Sequence, residues 1–536
     1  MRASRSTPVA ELADAELDVL VVGGGITGAC IALDAVSRGL RTALVDRGDF
    51  GSGATQNCLR IVHGGLRYLQ HLDLRRSRES IVERGMWLRS APHLVEPLPI
   101  VVPTMRGAFP NRWILGAGLA VNEALSADRN RGLDGDRRIP RSRVLSRAEC
   151  LAMIPELEHP RLAGGVLFHD AIMYSPERLT LEVIEAARAA GAIACNHVEF
   201  EGAVARDGRI AGARVRDTLT SETAEFRTSW IVNAGGARVG AVAARLSGRS
   251  VREETGWSIA LNLVTRQPAS GPAYTVYGGI GDPDRVLRGR ARQLFVVPWR
   301  GQRLIGTAHF PYAGDPARAE LPPECVDRFL AEVHDASPPL GVMPDDVRLV
   351  QWGLLPVAGA PAGDHVRLLK RHRILRHDAE GLAGAVSVIS VKFTTARGLA
   401  REVVDGLTGE RRRGAAMQEL TLPGRPAEGV TALHDGARAR HGGALPDDIL
   451  EHLVHAYGSR YERVIALAHR LDGGRDRVSP DAPVIFAQLV YGAAHEQART
   501  VDDLLWRRTE LGARGLIDGA VIRAAERALL LAAEGP

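Results

Sequence analysis

Lysine is almost missing from this chain of 536 residues. It stands at 370 and 392 alone, within a total of 68 lysines and arginines. Arginine does not replace lysine where a compact point charge is needed, so Lys370 and Lys392 stand out. Cysteine is sparse too: Cys30, Cys58, Cys150, Cys195 and Cys325 show no paired spacing. That scatter excludes a disulfide framework, a zinc site or a redox dithiol, and it suits a reducing, cytoplasmic compartment. Aromatics make up 5% of the chain, and no basic run is interleaved with them, so nucleic acid is not an expected partner. No apolar run reaches the roughly eighteen residues that span a bilayer. The N-terminal stretch carries Glu11 and Asp14 without an apolar core, unlike a secretory signal.

What is present is an ordinary globular composition, 45% hydrophobic and 24% charged, with a net charge of +5. The length exceeds one hydrophobic core and predicts two or three domains. The mild positive charge suits an anionic substrate or an anionic membrane surface as well as plain solubility.

The apolar run at 17–22 reads as a buried parallel strand, 27–38 as a helix stopped by Gly39, and 42–45 as a second buried strand. Together they form a βαβ unit. A glycine-rich loop spans 48–65, helical spacing follows at 72–90 and 181–190, and a strand at 230–233 ends in Ala-Gly-Gly. Short apolar runs at 258–265, 293–297 and 303–307 predict a mixed or antiparallel sheet, and 385–390 reads as a strand leading to Lys392. A linker lies at 422–426, and helical spacing fills 449–457, 461–469, 482–496, 501–508 and 519–533. The expected architecture is α/β: a Rossmann-like dinucleotide-binding domain (15–100, 160–250 and 345–420), a mixed-sheet substrate domain (101–159 and 251–344), and an all-helical C-terminal domain (425–536).

Gly23, Gly25 and Gly28 follow the first strand and open the helix through Ile26 and Thr27. Gly23 allows the tight turn, Gly25 lets a pyrophosphate approach the backbone, and Gly28 permits close helix–strand packing. The helix N-terminus offers its N–H groups to the pyrophosphate. Asp46, closing the second strand, is placed to accept hydrogen bonds from ribose hydroxyls. Spacing alone leaves FAD and NAD both open.

From residue 21 onward the chain resembles the FAD-dependent glycerol-3-phosphate dehydrogenases, within the amino-acid-oxidase-like flavoproteins. The resemblance runs through VVGGGITGACIALDAVSRGLRTALVDRGDFGSG, IVHGGLRYL at 61–69, APHLVEPLPIVVP at 91–103, VVPWRGQRLIGTA at 296–308, VKFTTAR at 391–397 and AHEQARTVDDLLWRRTELG at 494–512. It implies FAD as cofactor, with further contacts from Arg47, Ser52, Thr55, Val198, Ala234, Gly235 and Lys392. It implies hydride transfer from glycerol 3-phosphate to FAD, giving dihydroxyacetone phosphate, with electrons passing to a quinone or to oxygen. It implies catalytic roles for His63 and Lys392, and substrate contacts from Arg60, Arg371, Thr394, Thr395 and Arg397, with Arg373 and Arg376 as neighbouring alternatives to Arg371. No metal is implied. A cytoplasmic protein is expected, with peripheral contact at the inner face of the cell membrane or none, and a homodimer is left open.

The substrate side departs from the family. Leu355 occupies the position of a family arginine, a family histidine is missing from 260–263, and Thr307-Ala308-His309 replaces a Thr-Thr-Asp segment. His309 is therefore a candidate second base. Losing a phosphate-binding arginine costs a factor of ~100 or more. A different polyol, a sugar or cyclitol, or an amine is accordingly the rival substrate, and a flavin-binding protein without catalysis is a third reading.

Overall fold

The computed structural model describes residues 7–13, 15–108, 111–248, 255–281, 291–359, 366–408 and 420–534. The start of the N-terminal stretch and parts of the expected domain boundaries near 250, 345–420 and 425 fall outside or beside these residues.

The strand Glu16–Val22 is buried from Val19 to Val22. Such a strand needs parallel neighbours on both edges. Thr42–Val45 lies on one side, with Leu44 opposite Val21, and Thr223–Asn233 on the other, with Val232 opposite the same residue. The sheet continues through Ile193–Cys195 at one end, and through Ala385–Ile389 and Arg373–Arg376 at the other. Helix Ile26–Ser37 covers one face, packed by helices Ala396–Thr408 and Pro176–Ala189. An antiparallel hairpin, Val198–Arg206 and Arg209–Asp217, joins the sheet beside Thr223–Asn233.

A second sheet runs in the order Val347–Val357, Gly256–Thr265, Gln302–Tyr312, Ala291–Trp299, Ala273–Gly281, Val95–Met105, Leu162–Met173 and Ile61–Val62. Leu162–Met173 and Val347–Val357, drawn with the FAD-binding half in the sequence reading, are strands of this sheet. Alternation gives it two faces. One packs Ile259, Leu261, Leu294 and Phe310 against Phe329 and Val333 of helix Pro323–Ala336. The other meets the 48–65 loop: Asn262 donates to the Asn57 carbonyl at 3.1 Å, and the His63 and Phe295 rings lie 5.7 Å apart.

Helices Val430–His441, Asp447–Tyr457, Tyr461–Arg470, Phe486–His495 and Gly519–Glu534, with the short π-helix Asp503–Arg508, build a C-terminal unit around its own apolar core. Its junction with the rest is ionic and buried. Arg178 pairs with Glu496 at 2.7 and 2.8 Å and stacks on Tyr457, while Arg300 pairs with Glu510 at 2.7 and 2.8 Å.

Helix Arg112–Leu125 is unusual in what it shows to solvent. Trp113, Ile114, Ala117, Ala120, Val121 and Ala124 are all exposed, whereas Leu119 and Asn122 are buried. An amphipathic surface helix ordinarily points its polar side outward. The helix packs beside the segment Leu66–His71, just before Leu72 (82% exposed) and Leu74. Among the described residues, no helix is long and apolar enough to cross a membrane.

Candidate functional site: a dinucleotide cradle beneath a cationic pocket

The loop 23–28 is shaped by two close approaches and an open helix end. Gly23 has φ of +112°, and a Cβ there would fall 2.5 Å from the Ala234 carbonyl oxygen. At Gly28 a Cβ would lie 1.9 Å from the Gly23 oxygen, so helix and strand close on each other through bare backbone. Gly25 precedes the helix and has no side chain to cap it. Ile26 N–H donates to Thr55 Oγ1 at 3.2 Å, and the following N–H groups of the first turn, beginning with Thr27, lack intrahelical acceptors. An anion at this end complements both the N–H groups and the helix dipole.

Asp46 frames the other side. Its Oδ2 accepts from Gly24 N–H at 2.7 Å and its Oδ1 from Gly48 N–H at 2.9 Å. Burial pushes this carboxyl above its usual range, against those two backbone donors. Among the described residues no arginine or lysine is paired with it, so a neutral hydroxyl pair suits its remaining acceptor capacity. Val198 N–H donates to the Asp46 carbonyl at 2.7 Å, and Ala234 N–H to the Val22 carbonyl at 2.8 Å. Gly235 N–H bonds the Asn233 side chain at 3.1 Å. Thr55, Val198, Ala234 and Gly235 thus border the cradle. Ser52 is exposed near Gly48, and Arg47 is exposed within 3.6 Å of Glu199. The glycines that a Cβ would block and the uncapped helix end fit a bound dinucleotide such as FAD.

Beyond the cradle, the 61–71 segment lies against the second sheet, with Ile61–Val62 as its edge strand. His63 keeps 43% of its side chain exposed, and its Nδ1 lies 3.2 Å from Asp170 Oδ2. Lys392 Nζ sits 4.0 Å from the centroid of Tyr68, and Arg76 sits 4.0 Å from it as well. Burial, with Arg67 nearby, lowers the Lys392 ammonium to about 7. The charge of Arg67 also acts on His309. Thr394 is buried and gives its carbonyl to the Trp87 indole N–H at 3.0 Å, and Thr395 leads into helix Ala396–Thr408. Leu355 lies opposite Ser258 in the sheet register.

Three expectations need correction. Arg60 does not face substrate. It is fully buried, pairs with both Glu177 oxygens at 3.2 and 3.0 Å, and stacks 4.0 Å over Trp299. Arg397 is likewise committed, gripping Glu83 at 3.1 and 2.6 Å. His309 is not the proton acceptor expected of a second base: burial, then Arg292 and Arg67, pushes it down to about 3. Its Nδ1 is buried without a hydrogen-bond partner, which leaves a neutral ring able to bind a polar group. Arg371 is exposed, close enough to Arg76 to disfavour its charge.

Residue reasoning overlooked Asp170, Arg84, Arg67 and Tyr68. Asp170 carried a usable signal, since a carboxylate inside the apolar strand Leu162–Met173 requires partners. Asp49 was overlooked as well. With His197 and Asp503 it forms a buried group that could hold a cation, but Arg507 and Arg508 occupy its carboxylate.

The βαβ cradle with a second sheet beside it defines a fold suited to a dinucleotide. Residues 18–406 match the family model described as FAD dependent oxidoreductase, and residues 414–530 match that of the C-terminal domain of alpha-glycerophosphate oxidase. A glycerol-3-phosphate dehydrogenase of Synechocystis is 30% identical over 511 residues, covering 94% of this chain and 90% of the relative. A probable mitochondrial glycerol-3-phosphate dehydrogenase of Caenorhabditis elegans is 31% identical, covering 92% of this chain and 68% of its own length. Among solved structures, the glycerol-3-phosphate dehydrogenase of Bacillus halodurans complexed with FAD superposes with a TM-score of 0.71 at 24% identity, over 97% of this chain and 95% of that one. The chain belongs to the FAD dependent oxidoreductases, in the glycerol-3-phosphate dehydrogenase family. Its fold is the α/β architecture with a helical C-terminal unit expected from the sequence.

Proposed function

We propose that this protein oxidises glycerol 3-phosphate to dihydroxyacetone phosphate and delivers the electrons at a membrane surface. The reading is supported by an accessible imidazole, His63, on the same short segment whose Tyr68 ring lies against the Lys392 ammonium, with the charge of Arg67 acting on that ammonium. Bound FAD supplies a two-electron hydride acceptor. His63 takes the proton of the substrate's secondary hydroxyl as its carbon gives up hydride, which leaves the ketone. Lys392 and Arg67 hold the phosphate. A phosphate dianion beside Lys392 restores the ammonium that burial disfavours. Loop 23–28, Asp46 and Thr55 hold the cofactor.

Leu355 favours a second substrate class, because an apolar group in that place suits a polyol lacking one anionic contact. Anaerobic titration of the holoenzyme separates the two. Bleaching of the flavin band by glycerol 3-phosphate, and not by glycerol or unphosphorylated polyols, supports the first reading. Bleaching by the unphosphorylated panel alone would replace it.

The exposed apolar face of helix Arg112–Leu125, with Leu72 and Leu74, supports shallow insertion into a bilayer, where a quinone would be the acceptor. Arg75 and Arg106 are exposed in the flanking segments and complement anionic lipid headgroups.

A further inference from the structure

We infer that Asp170 is a positioning residue for the proposed base: it holds the proton of His63 on Nδ1, so that Nε2 is the atom presented to the substrate hydroxyl. This rests on the proposed role of His63 and goes beyond it, because it assigns the tautomer and the group that imposes it.

Asp170 lies on the strand Leu162–Met173 and is 3% exposed. Its two oxygens are divided between different tasks. Oδ1 accepts from the Gly64 backbone N–H at 2.7 Å and from Arg84 Nη1 at 2.9 Å. Oδ2 lies 3.2 Å from His63 Nδ1. Arg84 is buried and fixed in turn by the His169 carbonyl at 2.8 Å. Burial raises the Asp170 carboxyl, but hydrogen bonding to His63 and the charge of Arg84 outweigh it and hold the group below its usual range. An ionised carboxylate only accepts, so the imidazole nitrogen facing it must carry the hydrogen. The other nitrogen then keeps its lone pair, which is what a base requires.

The surroundings fix the backbone from which His63 reaches Asp170. A Cβ on Gly64 would fall 2.2 Å from Arg84 Nη1 and 2.8 Å from Asp170 Oδ1, so the backbone beside His63 is pressed against both partners. The Phe295 ring flanks the imidazole at 5.7 Å. The exposed part of His63 thus belongs to the edge away from Asp170.

Asp170→Asn makes the inference testable. Two donors converge on Oδ1, so the carboxamide oxygen takes that place and its NH2 turns to His63 Nδ1. The donor there forces Nδ1 to accept and moves the ring proton to Nε2, which disables the base without removing it. With histidine labelled by 15N, the His63 signal is assigned by its loss in His63→Asn. Wild-type holoenzyme is expected to show the Nδ1–H form and Asp170→Asn the Nε2–H form. The flavin-reduction rate at saturating glycerol 3-phosphate is expected to fall about 100-fold or more, with KM within about threefold and flavin content unchanged. In the His63→Asn background the same change should add no further loss.

Additive losses, a rate within about threefold of wild type, or a wild-type His63 protonated at Nε2 would each overturn the inference. If Asp170→Asn fails to fold, the wild-type spectrum decides alone. A wild type that glycerol 3-phosphate does not reduce would remove the proposed function. A reducible wild type with the wrong tautomer would remove this inference only.

Discussion

Arg508 holds Asp49 with two hydrogen bonds, Nη1 to Oδ2 at 2.6 Å and Nη2 to Oδ1 at 2.9 Å, across 459 residues of sequence. Asp49 belongs to the segment that frames the cofactor cradle: Gly51 N–H donates to the Gly24 carbonyl at 3.0 Å, and Phe50 packs against Gly24. Removing one partner of a buried pair costs about 3–5 kcal/mol, and Arg507 offsets part of that here. Arg508→Ala should therefore lower the melting temperature and weaken FAD retention together. Flavin content after gel filtration and thermal unfolding measure both. Unchanged flavin content beside a lowered melting temperature would separate the junction from the cradle.

Gly28→Ala should abolish FAD binding, because its methyl would meet the Gly23 carbonyl, a backbone atom that cannot swing away. Gly53→Ala, where nothing lies within 4 Å, should keep the flavin. The ratio of flavin to protein absorbance in the purified variants reads the difference.

The pair Arg60–Glu177 predicts a pattern that a substrate ligand would not give. Each single change, Arg60→Met or Glu177→Leu, leaves a buried charge alone and should cost about 3–5 kcal/mol. The double variant should recover most of that loss, since apolar replacement of a buried pair is often neutral. Denaturant unfolding gives the energies. A rise in KM of a hundredfold or more in a fully folded double variant would return Arg60 to the substrate.

Lys392 makes the stability of the apoprotein depend on pH in a stated direction. Its folded pKa is lowered from 10.5 to about 7 by burial and by Arg67, so the unfolded chain binds that proton more readily. The position is destabilising below about pH 7, and the cost fades as pH rises toward the unfolded value. Lys392→Met should stabilise the apoprotein by about 1–3 kcal/mol near pH 6, with the gain vanishing toward pH 10. Melting curves across that range test it, and a gain independent of pH would contradict the cause.

Trp113→Glu and Val121→Glu place charges on the outward face of Arg112–Leu125. Sedimentation with vesicles containing anionic lipid should show wild type bound and the double variant released, with flavin reduction by substrate unchanged. Equal binding of both proteins would exclude this face as the contact.

The βαβ unit was legible because its signals are local: an apolar run, three glycines at fixed spacing and an acidic stop within thirty residues. The C-terminal helices from Asp447 onward were legible for the same reason, through their 3.6-residue period, whereas Val430–His441 was not picked out. The fate of each arginine was not. Arg60 lies 117 residues from Glu177, and Arg397 lies 314 from Glu83, so nothing near either residue reveals whether its guanidinium meets a substrate or a carboxylate. His63 could be picked out from a motif, but Asp170 reaches it from a strand 107 residues away. The alternation of Leu162–Met173 and Val347–Val357 identifies strands and does not say which sheet receives them.

The cradle draws on both ends of the chain, and this sets a timetable. During synthesis the glycine turn emerges with the first strand, yet Gly23 leans on Ala234, the strand beside Thr223–Asn233 is Ala385–Ile389, and the grip on Asp49 waits for Arg508. A nascent chain therefore carries the cofactor motif long before the contacts that frame it have emerged. A chain cut before Arg508 keeps every residue of the motif and loses the grip on Asp49.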